Sequence, residues 1–102
     1  MSMIQTGRLE LSSQQPVETK SGNTSTFTQV DYPTPFPAGS TVIVQTTVQT
    51  FNGSDTPGIR LADVNETGFL IRINELYSTG NNGVQSDGTH TTETVGWTAY
   101  TV

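Results

Sequence analysis

A chain of 102 residues with no cysteine, 13% charged residues and a formal net charge of −5 is one domain's worth of sequence, since a single hydrophobic core usually takes ~100–150 residues. Its four basic residues, Arg8, Lys20, Arg60 and Arg72, stand against nine acidic ones, so no cationic stripe exists to neutralise phosphates, and nucleic-acid binding is excluded on electrostatic grounds. The lack of cysteine removes disulfide frameworks, thiolate zinc sites and thiol nucleophiles, and leaves the compartment open.

Only 31% of the residues are hydrophobic, and threonine alone supplies 19. Threonine is β-branched and suits a pleated, half-wet surface, while three alanines and five leucines leave little from which to build a helix. So lean a core gains stability by burying further surface against copies of itself, and a homo-oligomer is expected. The opening Met-Ser-Met-Ile-Gln-Thr-Gly-Arg has neither a basic n-region nor an apolar h-region, and nowhere do ~18 apolar residues run together, so neither an export signal nor membrane insertion is expected. The sequons at Asn23, Asn52 and Asn65 are of the kind that arise by chance in a chain this rich in Ser and Thr.

In chain order, residues 8–12 and 24–30 read as short strands. Pro33, Pro35, Pro37 and Gly39 then form an extended approach to a third strand over 41–50. There Val42, Val44 and Val48 share one face while Ile43, Gln45, Thr47 and Gln49 share the other. Asn52-Gly53 and Pro57-Gly58 mark the next connection, residues 59–64 a fourth strand, and Asn65-Glu66-Thr67-Gly68 a tight hairpin turn. Residues 67–75 alternate again, with Phe69, Ile71 and Ile73 on one side and Arg72 and Asn74 on the other. The Gly- and Asn-rich stretch 76–90 reads as one long irregular loop. A last strand, 91–102, sets Val95, Trp97 and Ala99 against Thr94, Thr98 and Tyr100. Six short strands joined by connections too short for a crossover helix predict an antiparallel β-sandwich. The expected organisation is a single domain over 1–102, with an N-terminal strand and loop over 1–23 and the main sandwich over 24–102.

Tyr32-Pro33-Thr34-Pro35-Phe36, the strand Val42-Ile43-Val44-Gln45, Gly68-Phe69 after an asparagine-bearing turn, and the closing Val95-Gly96-Trp97-Thr98-Ala99-Tyr100 occur in the order and spacing of the H-type lectin domain. The chain resembles that family, the fold of snail agglutinins and of the discoidin C-terminal domain, from about residue 27 to its end. The resemblance implies a six-stranded antiparallel β-sandwich of H-type lectin type. It also implies assembly as a homotrimer or a stacked hexamer, with shallow sites for galactose or N-acetylgalactosamine at the subunit boundaries. In the family an Asp before the second strand, an Arg on the central strand, and an aromatic and a His after the Gly-Phe strand hold the sugar. Here Ser21 stands at the Asp position with Asn23 nearby, Arg60 is the central-strand arginine, Leu76 takes the aromatic position with Tyr77 next, and residues 78–85 have no counterpart in the animal lectins. Phe51-Asn52-Gly53-Ser54-Asp55 and Asp87-Gly88-Thr89-His90-Thr91-Thr92-Glu93 look like a microbial branch whose domains are appended to secreted or phage proteins.

The candidate carbohydrate-binding residues are therefore Arg60, Tyr77, Asp87, His90, Asn23, Asn52 and Asp55. Arg60 offers a fork of donors for sugar hydroxyls, or an inter-subunit ion pair with Glu75 or Glu93. Tyr77 could stack on the apolar face of a galactose-type ring, whereas Trp97 belongs to the core. His90, the single histidine, has too few converging partners for a metal site. No Gly-x-Ser-x-Gly occurs, and Asp55, Glu75, Asp87 and Glu93 read as surface charge rather than a hydrolytic carboxylate pair. No enzyme activity, cofactor or metal is expected. The expected function is multivalent glycan binding outside a cell or on a virion or secreted assembly. The alternative is a structural or adhesion trimer without a sugar site.

Overall fold

Strands are the sole regular elements among the described residues of the computed structural model, which are 3–14, 23–78, 84–86 and 89–102, the side chains of 77, 78 and 84–86 lying outside the description. They are β1 (Ile4–Gln14), β2 (Thr28–Asp31), β3 (Val42–Val48), β4 (Thr56–Ala62), β5 (Gly68–Ser78), β6 (Val84–Ser86) and β7 (Thr89–Thr101). β1, β7 and β3 form one antiparallel sheet; β2, β5 and β4 form the other, with β6 on β5 beyond the end of β2. The chain is thus all-β and sandwich-like, with strands alternating between the sheets until β4.

Among the described residues the six expected strands are present, the second shifted from 24–30 to Thr28–Asp31 and the fourth from 59–64 to Thr56–Ala62, and a seventh joins them. The stretch 76–90, expected to be one irregular loop, carries the end of β5, all of β6 and the start of β7. Leu76, Tyr77 and Ser78 pair with Ser86, Gln85 and Val84, six residues none of which is a Gly or Asn, the types on which the loop expectation rested.

Period-two alternation places the core. Leu11, Val95, Trp97 and Ala99 from one sheet meet Phe69, Ile71 and Ile73 from the other, and all are buried. Tyr32 and Phe36, separated by a Pro-Thr-Pro run, close one end: Phe36 stands edge-on to Tyr32 at 4.9 Å, and Trp97 edge-on to Phe69 at 5.6 Å, the geometry aromatic quadrupoles favour. The run is fixed by backbone bonds from Tyr32 to Thr67 and from Phe36 to Glu66, and by the Gln5 amide, which both donates to and accepts from the Thr34 backbone. Opposite Trp97 in register lies Gly7, where a Cβ would come within 2.5 Å of the indole; only glycine leaves room for that ring.

The β4–β5 hairpin turns where expected. The Asn65 side-chain oxygen accepts from the Thr67 and Gly68 amides and the Thr67 hydroxyl, a local competition with strand pairing that makes asparagine a turn residue. β5 departs from the simple alternation: Arg72 and Asn74, on the face expected to be wet, are 3% and 1% exposed. Arg72 is drawn in because its guanidinium donates to the hydroxyls of Thr26 and, at 3.0 Å, Ser13.

Candidate functional site

The β1–β7 ladder contains one irregularity, and it determines the polar chemistry of the interior. Leu11 pairs with Glu93 but Ser13 pairs with His90, so two steps on β1 match three on β7. In an uninterrupted strand, residues three apart point to opposite faces. The extra residue on β7 turns both Glu93 and His90 inward, and each is 2% exposed. Glu75, continuing the inner face of Phe69, Ile71 and Ile73, meets them from β5.

The three side chains form a chain of hydrogen bonds. His90 Nδ1 lies 3.1 Å from Glu75 Oε1 and His90 Nε2 lies 2.7 Å from Glu93 Oε2. An ionised carboxylate only accepts, so both contacts are made together by an imidazolium, or with a proton on one carboxyl group. The other oxygen of Glu93 accepts from the Thr50 hydroxyl at 2.7 Å and the Asn52 amide at 3.0 Å. These donors, His90 foremost and then Thr50, hold the Glu93 carboxyl below the usual carboxylate range against the opposing effect of burial. The carboxylates meet opposite edges of the ring, a geometry unlike that of ligands converging on one ion; among the described residues no group of three or more His, Cys, Asp or Glu is placed to hold a metal.

The Thr50–Asn52 segment fixed in this way roofs the cluster. Gly53 lies against the imidazole, where the Cβ of any other residue would come within 2.8 Å of His90 Cε1. Outside the roof, Val48, Thr50, Phe51, Gly53, Ser54, Asp55, Thr56, Pro57 and Glu93 line a hollow of about 280 Å³. Phe51 is 91% exposed and stands beside the hydroxyls of Ser54 and Thr56 and the carboxylate of Asp55.

The sequence-derived candidates are dispersed. Asn52 and Asp55 belong to this loop, Asp55 lining the hollow while Asn52 donates to Glu93 and, through its side chain, to Thr92. His90 lies beneath the loop. Arg60 is exposed on β4, opposite Arg72 in register, without a hydrogen bond or ion pair among the described residues. It stands four residues from Thr56, about 13 Å at strand rise. Asn23 is exposed, its side chain capping the Ser25 amide. Asp87 and the Tyr77 side chain lie outside the described residues. Glu75 and Glu93, weighed as surface charges and as partners for Arg60, bind His90 instead. Phe51, Thr50 and Gly53 were not among the residues named for sugar; the available signal was an aromatic residue set in a polar Asn-Gly loop.

A second concavity crosses the outer face of the β1–β7–β3 sheet, lined by Arg8, Gln45, Thr47, Gln49, Thr94 and Thr98 around Gly96. At one end of that face Ile4 and Ile43 flank Tyr100 in register, with Ile4 70% and Ile43 39% exposed.

Compared with protein-family models, curated proteins and solved structures, the chain finds no match in any of the three.

Proposed function

We propose that this protein is a glycan-binding module of the H-type lectin kind, a homotrimer or hexamer that takes galactose- and N-acetylgalactosamine-type sugars and makes or breaks no bond. The observation that carries the reading is the hollow beside Phe51. Sugar rings present an apolar face that stacks on an aromatic and a rim of hydroxyls that need donors and acceptors. Phe51 supplies the first, and Ser54, Asp55 and Thr56 the second. Binding suits the place better than catalysis, because both ring nitrogens of the buried His90 already face carboxylates, leaving none turned to a substrate. A shallow site gains little against water, so several copies joined in an oligomer supply the avidity.

A glycan array with labelled protein, run with and without EDTA, tests the reading. Selective signal on terminal galactose-type glycans, unaffected by EDTA and lost in folded Phe51→Ala and Asp55→Ala proteins, is the expected result. Arg60→Ala separates a ligand contact, which loses sugar and keeps the oligomer, from an interface contact, which loses the oligomer. A blank array from a folded oligomer overturns the lectin reading.

One observation favours the structural or adhesion trimer. The row of exposed Ile4, half-buried Tyr100 and exposed Ile43 continues to Val102, 77% exposed, and apolar side chains gathered on one sheet face suit contact between copies. Under that reading Ile4→Lys and Ile43→Lys dissociate the assembly in sedimentation experiments, and no sugar binds.

A further inference from the structure

Between β3 and β4 the chain leaves both sheets, and its backbone bonds must go elsewhere. Gln49 N donates to Thr94 O at 2.7 Å. Thr94 N donates back to the Thr50 hydroxyl at 2.9 Å, and the Asn52 side chain donates to Thr92 O at 2.9 Å. The two remaining bonds, from the Thr50 hydroxyl and the Asn52 amide, converge on a single oxygen, Glu93 Oε1. The loop is therefore fastened to three successive residues of β7, and its one charged anchor is a carboxylate that His90 grips from the other side.

We infer that Glu93 and His90 are the positioning residues of the Phe51 hollow: the carboxylate clasps the loop, the imidazole props Gly53 from below, and acid releases the clasp. The clasp stands on this geometry alone; its consequence for sugar binding rests on the hollow being the glycan site. Among the described residues, the charged groups facing the clasp are Glu93 and His90 from β7 and Glu75 from β5. β1 contributes Leu11 and Ser13, the latter joined to the Arg72 guanidinium. The loop contributes Thr50, Asn52 and Gly53, with Asp55 exposed on its outer side. Because the donors hold the Glu93 carboxyl below its ordinary value, its contribution is complete above the usual carboxylate range. It disappears as the pH falls through the lowered value.

The Asn52 backbone amide reports the clasp directly, by NMR hydrogen exchange on the whole protein. In the wild type it is protected near neutrality and loses that protection in acid before the amides of Phe69 and Ile71 do. Glu93→Gln keeps the shape and removes the charge; it lowers Asn52 protection by about tenfold or more, the scale of a hydrogen bond to an ion, and abolishes the early acid step. Thr50→Val, which loses one hydroxyl, covers the case of a Glu93 variant that fails to fold, and lowers the same protection severalfold. Unchanged protection in both variants overturns the inference, as does acid loss of Asn52 protection in step with Phe69 and Ile71. In the same samples, titrated with galactose, affinity should fall with the clasp. Binding that is abolished by Phe51→Ala yet indifferent to Glu93→Gln also overturns the positioning role. If Asn52 behaves as expected and galactose moves no resonance of the loop, the clasp stands and the glycan reading fails.

Discussion

The two ends of the interior are built from opposite materials on the same strands. At one end Tyr32, Phe36, Phe69 and Trp97 form an aromatic cluster; at the other Glu75, His90 and Glu93 form a hydrogen-bonded chain with Arg72 and Ser13 close by. β5 passes from Phe69 through Ile71 and Ile73 to Glu75, and β7 from Trp97 through Val95 to Glu93. The apolar end is held by area and shape, which do not depend on pH. The polar end is held by directional bonds between ionisable groups, whose strength depends on where the protons are. A small domain with a lean core thus concentrates its stability at one end and its chemistry at the other, where the loop above the cluster presents the exposed Phe51.

The largest expected effect comes from breaking the apolar end. Phe69→Ala removes a wholly buried ring touching both Tyr32 and Trp97 and should cost about 3–5 kcal/mol in urea denaturation, a large share of the ~5–15 kcal/mol typical of a domain. That cost should be the same at every pH where the protein folds.

Acid should produce a smaller, end-specific loss. Among the described residues two carboxyl groups are held below their ordinary values: Glu93 by His90 and Thr50, and Glu66 by its own amide and that of Gly39. Their contributions are complete above the carboxylate range and fade as the pH falls through the lowered values. The urea midpoint should therefore decline as the pH falls through those values. Glu93→Gln should start lower and shed part of the decline, whereas Glu66→Gln, on a surface turn, should leave loop protection at Asn52 unchanged.

The smallest effect sharpens the contrast. Tyr32 is 5% exposed, its hydroxyl has no partner among the described residues, and burial pushes its ionisation up. An unpaired buried hydroxyl is a cost, so Tyr32→Phe should gain about 1 kcal/mol, read as a higher urea midpoint at unchanged slope. A loss instead would mean that the aromatic end contains a polar bond of its own.

Much of the apolar end was legible from residues alone. The alternation of Phe69, Ile71 and Ile73, and of Val95, Trp97 and Ala99, placed the inner faces of the central strands, and Asn65 marked the hairpin. The polar end was legible only in its ingredients. His90 and Glu93 stand three apart, a spacing that an unbroken strand splits between two faces, so His90 reads as a loop or surface group. Arg72 likewise reads as wet until Thr26 and Ser13 are seen to cover it. Of the residues named for sugar, Asn52 and Asp55 share one loop, while Arg60 and Asn23 lie on other surfaces.

The sequence by itself determined that this chain is all-β, which faces of its longest strands are apolar and where its clearest turn falls. These follow from a period of two and from side chains that bond to their own backbone, both local properties. Tertiary structure alone decided the extra residue in β7 that buries His90, the pairing of β6 with β5, and the closure of the Thr50–Asn52 segment onto Glu93. Each of these depends on a partner distant in the chain: register is set by the opposing strand, and a carboxylate becomes an anchor only when folding brings donors 41 and 43 residues away against it.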